Sequence, residues 1–139
     1  MSVRTQNLET AGAVYLTFAV HQTTGSDDLT DTDIGKAVEL TGNYEVTGAT
    51  AGGILLGKLI ALTLSDADSG KRQATVQVAG VVSLPISATY PEIGNRVVGG
   101  GSGTVKQAPA LGGNDPAGGN IARGTVIAVN GTTNCTVIL

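Results

Sequence analysis

Tryptophan is absent from this chain, and phenylalanine, cysteine, methionine and histidine each occur once. Each scarcity excludes something. With three tyrosines as the only other aromatics, an interior has to be filled by Val, Ile, Leu and Ala, and no run of aromatic platforms is present for stacking nucleic-acid bases. Cys135 cannot close a disulfide within the chain, and its place in the apolar stretch CTVIL predicts a buried, reduced thiol. One histidine and one cysteine cannot supply a zinc site built from several such ligands. Charge is also sparse: 14% of residues are ionic, the formal net charge is −3, and the 8 Lys and Arg are scattered. That distribution leaves no electrostatic footprint for nucleic acid or an anionic membrane, so neither is expected as a partner. The most apolar window, GGILLGKLIALTL at 52–64, is too short to span a bilayer as a helix and carries Lys58, and the opening MSVRTQNLETAG lacks the apolar core of a secretion signal. A soluble protein is expected.

Glycine is what the chain has in excess. It supplies 21 of 139 residues, about twice the usual share. No three-residue period accompanies it, which excludes collagen. Between the glycines the apolar residues alternate, as they do in a strand with one buried face. In AVYLTFAVH (13–21), Val14, Leu16, Phe18 and Val20 share one face; in KAVEL (36–40), Val38 and Leu40 do; in ATVQVAGVVSL (74–84), Val76, Val78, Val82 and Leu84 do, with Gly80 in the same row. A glycine inside such a row marks a bulge or bend. RGTVIAV (123–129) and CTVIL (135–139) flank NGTTN, a hairpin signal. No segment of ten or more residues shows capped helical periodicity, apart from a turn or two allowed near GGILLGKLIAL. The pattern predicts an all-β fold: a small β-barrel or β-sandwich of short strands with an extended N-terminal arm. The arm is assigned to residues 1–12 and a single β-rich domain to 13–139, with the Gly/Pro/Asn-rich stretch 107–120 as a long, interaction-bearing loop.

Motifs that carry chemistry are sought against this background. The run GGGSG (99–103) is followed by TVKQAP rather than by a helix, and its spacing fits no phosphate-binding loop, so it reads as a turn between two strands. DDLTDTDIG and DADSG open like calcium loops but lack the remaining oxygen ligands and the closing glutamate, and read as surface turns. His21 ends a strand as a solvent-facing residue, and no serine sits in a nucleophile elbow. The chain is therefore expected not to be an enzyme, with no catalytic, cofactor-binding or metal-binding residues.

The order of segments resembles the small head decoration, or capsid cement, proteins of tailed bacteriophages. A polar arm precedes GKAVELTGNYEVT; ILLGKLIALTLSDADSGKRQATVQVAGVVSLPIS is similar to that family's strand, variable loop and V-x-V-x-G-V-V-x-L strand. IGNRVVGGGSGTVKQAP matches a G-D-x-V segment and glycine turn, with Asn95 in place of the acidic residue, and IARGTVIAVNGTTNCTVIL matches a closing A-x-G-x-V hairpin. The resemblance covers residues 30–139. It implies a non-enzymatic homotrimer on the outer surface of the virion head, with the major capsid protein as partner. Within that reading the capsid contact is placed on Ser2, Val3, Arg4, Thr5, Gln6, Asn7, Leu8 and Glu9, where Val3 and Leu8 enter apolar depressions and Arg4, Gln6 and Asn7 bond to exposed backbone. The alternatives are a virion-surface module that binds host glycans through 107–120, disfavoured because that loop has no aromatic residue, and a small enzyme or carrier barrel, disfavoured by the missing nucleophile and base.

Overall fold

The computed structural model describes residues 9–65, 67, 68, 70–110 and 121–139. Among them the chain forms twelve strands and one short 3-10 turn, Asp31–Asp33. The strands are β1 (Val14–Val20), β2 (Gln22–Thr23), β3 (Ser26–Asp27), β4 (Ala37–Gly42), β5 (Glu45–Gly48), β6 (Gly57–Leu62), β7 (Gln73–Ala79), β8 (Val81–Pro85), β9 (Val97–Gly101), β10 (Thr104–Gln107), β11 (Thr125–Asn130) and β12 (Asn134–Ile138). The fold is all-β, as the alternation predicts.

Two small cores result. The first lies in a closed barrel with strand order β1-β5-β4-β6-β7, in which β7 returns to pair with β1. Its pairs are antiparallel except β1 with β5, which meet in parallel at Ala19↔Glu45 and Val20↔Val46. Val20, Val38, Val46, Leu59, Ala74 and Val76 fill it, with Leu29. The second core lies inside the sheet β11-β12-β8 and the hairpin β9-β10. Single bridges, Ile86 to Val105 and Val97 to Arg123, join that hairpin to both sides of the sheet. Val82, Leu84, Val97, Val105, Val126 and Val137 pack there. Branched aliphatics suit so narrow a space, which explains how a chain with few aromatic residues fills two interiors.

One ribbon serves both cores. β7 and β8 are separated only by Gly80, which sits at φ +93°. A side chain there would be strained and would also collide: an added Cβ would lie 2.5 Å from the Ala11 carbonyl oxygen. That carbonyl accepts a hydrogen bond from Val81 N–H, while Thr10 N–H donates to Val81 O and Leu139 N–H to Gly80 O. The bend expected from the sequence is present, but its effect is larger than a kink. The row Val76, Val82, Leu84 is divided, Val76 entering the first core and the other two the second.

The glycine run at 99–101 does two jobs. Gly101, Ser102 and Gly103 have φ of +94°, +52° and +76° and turn β9 into β10. Gly99 lets two backbones touch: a Cβ there would stand 2.2 Å from Thr50 O, where Gly52 N–H bonds to Gly99 O and Gly99 N–H to Gly53 O, each at 2.8 Å.

Three local expectations are corrected. The window GGILLGKLIAL holds no helical turn; Gly57–Leu62 is strand β6, with Leu55 in the second core and Leu59 in the first. Leu40 does not share the burial of Val38 but is 54% exposed. Val14 and Leu16 likewise lie open, while Val20 on the same face is buried. The cause in β1 is topological: β5 begins opposite Ala19, so the preceding half of β1 is flanked on one side only among the described residues.

Cys135 lies in β12 within the second core, as its sequence context predicts. Burial pushes its thiol up to about 11, so almost none is thiolate at neutral pH. The native protein is therefore expected to show no thiol reactive toward a disulfide reagent at pH 8, and one thiol after unfolding in guanidinium. Rapid labelling of native protein would contradict this placement.

Candidate functional site

Of the arm residues singled out in the sequence, Ser2 to Leu8 lie outside the described residues; Glu9 is described. Its carboxylate pairs with Lys58 of β6 at 3.2 Å, and the adjoining Thr10 and Ala11 are bound to Val81 by backbone hydrogen bonds. Ala13 N–H closes back on Thr10 O, so residues 9–13 pass into β1 through a bonded turn. The root of the arm is thus fixed to the body at the bend between β7 and β8. Of the loop 107–120, Gln107 to Ala110 are described: Gln107 N–H donates to Thr89 O and Ala108 N–H to Arg96 O. Residues 111–120 lie outside the described part.

The densest polar cluster surrounds Asp28. The strands β2 and β3 form a hairpin with Gln22 opposite Asp27, turning at Thr24 and Gly25, both at positive φ. Continuing that register by one step puts Asp28 opposite His21, and Asp28 N–H bonds to His21 O. The side chains meet as well: His21 Nδ1 lies 2.8 Å from Asp28 Oδ2, Thr47 Oγ1 donates to the same oxygen at 3.0 Å, and Thr23 Oγ1 donates to Oδ1 at 2.7 Å. His21 follows the end of β1 with its side chain 37% exposed, as the sequence predicts, and its bond to Asp28 is what the sequence did not reveal. The sequence does not announce this hairpin, because Thr-Gly is a weaker turn signal than Asn-Gly.

Burial of the Asp28 carboxylate works to raise its pKa, but the hydrogen bonds from Thr23, His21 and Thr47, with the charge of His21, hold it below its ordinary value. A depressed pKa stabilises the fold above the unfolded value of about 3.9 and loses that contribution as pH falls through the folded value. Asp28→Asn is expected to flatten the decline of stability below about pH 4, as read from urea midpoints between pH 2 and 5. Equal slopes for variant and parent would assign the decline to other carboxylates.

Chemically, the His21–Asp28 pair has the form of the orienting half of a catalytic triad. The other half is missing: the hydroxyls of Thr23 and Thr47 donate to the carboxylate, and no hydroxyl or thiol bonds the imidazole among the described residues. A surface pocket of about 420 Å³ adjoins the cluster, lined by Asp28, Asp33, Lys36, Thr47, Thr50 and Ser102 among others. Its cation is matched, Lys36 facing Asp33 at 3.5 Å. No group of three or more His, Cys, Asp or Glu placed to hold a metal occurs among the described residues. The cluster's clear task is to lock the β2-β3 hairpin onto β5.

In the sequence Arg123 reads only as the first residue of the strand RGTVIAV; it lies just before β11, and its contacts were not legible. Its guanidinium reaches Leu55 O at 3.2 Å and makes closer bonds to Leu56 O and Val78 O. Burial lowers its pKa, and its partners are backbone carbonyls from β7 and from the segment before β6. It ties the two cores together.

Comparison of the chain with protein-family models, with curated proteins and with solved structures finds no match in any of the three.

Proposed function

We propose that the protein is a capsid decoration protein that binds the outer surface of an assembled phage head as a homotrimer and stabilises contacts between major capsid subunits. It acts by binding alone, without catalysis or cofactor. The order of motifs along residues 30–139 suggests this reading, and one structural observation carries it further. The arm's root, Glu9 to Ala11, is bonded to Lys58 and Val81, beside the bend that both cores share. Pull on residues 2–8 would pass into the whole body rather than unravel an edge. A ligand that binds the assembled shell more tightly than free subunits adds its preferential binding energy to the shell's stability, and many copies multiply modest contacts.

Deleting residues 2–8, while keeping Glu9, is expected to leave the fold intact by circular dichroism and to abolish decoration of emptied heads in a co-sedimentation assay. Full decoration by the truncated chain would remove the arm from the contact. No decoration by the full-length chain would remove the reading itself.

A further inference from the structure

We infer that the first half of β1, a sheet edge open among the described residues before β5 begins opposite Ala19, pairs antiparallel with β1 of a second copy across a two-fold axis, with Leu16 on the axis. Exposure across the barrel wall locates the gap. Leu59, Val76 and Leu16 stand in register on β6, β7 and β1; the first two are 0% exposed and Leu16 is 49%. On the opposite face Gln77 is 1% exposed and its partner Tyr15 is 47%. Both faces are covered over β7 and open over β1, so what is lacking is a strand beside β1 rather than a lid on either face.

The backbone agrees. Val20 N–H donates to Arg72 O on the β7 side, whereas Ala19 and His21 N–H donate to Tyr44 O and Val46 O on the other. By the alternation of a strand, the edge-facing groups further down are those of Tyr15 and Thr17, and β5 begins too late to meet them. Natural sheets blunt such edges with charge, proline or bulges. Val14 to Phe18 contains no charge and no proline, and the register shift at Val14/Tyr15 puts its extra residue, Val78, on β7 rather than on β1.

The segment VYLTF is complementary to itself. Placing Leu16 opposite Leu16 of the second copy sets Val14 against Phe18 on one face and Tyr15 against Thr17 on the other. These are apolar and aromatic–β-branched pairs, which favour cross-strand contact, and no like charges oppose. The register also satisfies the hydrogen bonds: Tyr15 and Thr17 exchange N–H and C=O with Thr17 and Tyr15 of the second copy, and Leu16 forms the intervening non-bonded pair. Glu9, the first described residue, is held at Lys58 on β6, with β7 between it and β1. One strand pair buries well under the area of roughly 1,200–2,000 Å² typical of stable interfaces. The association is therefore weak and concentration-dependent.

Leu16→Cys tests the geometry. Opposed non-bonded residues have Cα atoms about 4.5 Å apart, within disulfide reach, and Cys135 is buried and does not compete. Under mild oxidation Leu16→Cys is expected to form a covalent dimer about tenfold or more faster than Leu64→Cys, because a formed pair raises the local thiol concentration. Leu64 is 86% exposed and serves as the collision control. In sedimentation equilibrium the parent should double in mass with concentration, and Leu16→Lys and Thr17→Lys, checked for folding by circular dichroism, should each abolish the doubling. Equal cross-linking at positions 16 and 64, or doubling that survives both lysines, would overturn the pairing. The pairing does not rest on the trimer reading. Three copies with Leu16→Lys and six without would support both; doubling without any multiple of three would support this contact alone.

Discussion

Gly80→Val is expected to lower the stability of the protein by about 4 kcal/mol, combining backbone strain at an unfavourable φ with overpacking. The angle of +93° is one that a β-branched residue does not adopt without strain. The new Cβ would also lie 2.5 Å from Ala11 O and 2.8 Å from Ala13 N, backbone atoms that cannot swing aside. The damage would reach beyond one turn, because the bend is where residues 10 and 11, β7, β8 and Leu139 are bonded together. For a domain stable by about 5–15 kcal/mol, the change consumes a large part of the margin. It would be read as a fall in the denaturant midpoint at unchanged slope. A loss under about 1 kcal/mol would mean that the ribbon passes from one core to the other by a different path.

Arg123→Met is expected to cost about 3 kcal/mol, because the carbonyls of Leu55, Leu56 and Val78 lose a charged donor without gaining solvent in exchange. Methionine retains most of the stem's length and packing, so the loss reports the guanidinium. Arg123→Lys should recover only part, since a single ammonium cannot reproduce a planar fork reaching two separate segments. The check is the same denaturant titration with two probes, one in each core, for example single tryptophans introduced at Phe18 and Val129. Coincident transitions in the parent and separated ones in Arg123→Met would establish that the side chain couples the two interiors. A methionine variant as stable as the parent would show the bonds to be energetically idle.

These two sites mark where the sequence was legible and where it was not. Gly80 stood out because it interrupts a row of valines, local alternation revealed β7, β8, β11 and β12, and the glycine run revealed a turn, although Gly99 to Gly101 belong to β9 and the turn itself is at Ser102 and Gly103. What alternation could not reveal was which interior each valine enters, since strand period is the same on either side of the bend. Arg123 meets partners 45, 67 and 68 residues away, and no local pattern encodes a contact of that range. The His21–Asp28 pair lay within reach, seven residues apart, but only once Thr24-Gly25 was recognised as a hairpin turn. For β1 the pattern was read correctly and the burial was not: alternation reports which side chains share a face, whereas exposure depends on where the neighbouring strand begins.

Both extremities of the folded body converge on consecutive residues, Leu139 on Gly80 and Thr10 on Val81. Joining Leu139 to Thr10 through a short linker would therefore close a covalent ring at the bend. Such a ring would restrict the unfolded chain and so resist denaturation. It would also dispense with residues 2–8, the segment proposed above to grip the shell, separating durability from attachment in a single molecule.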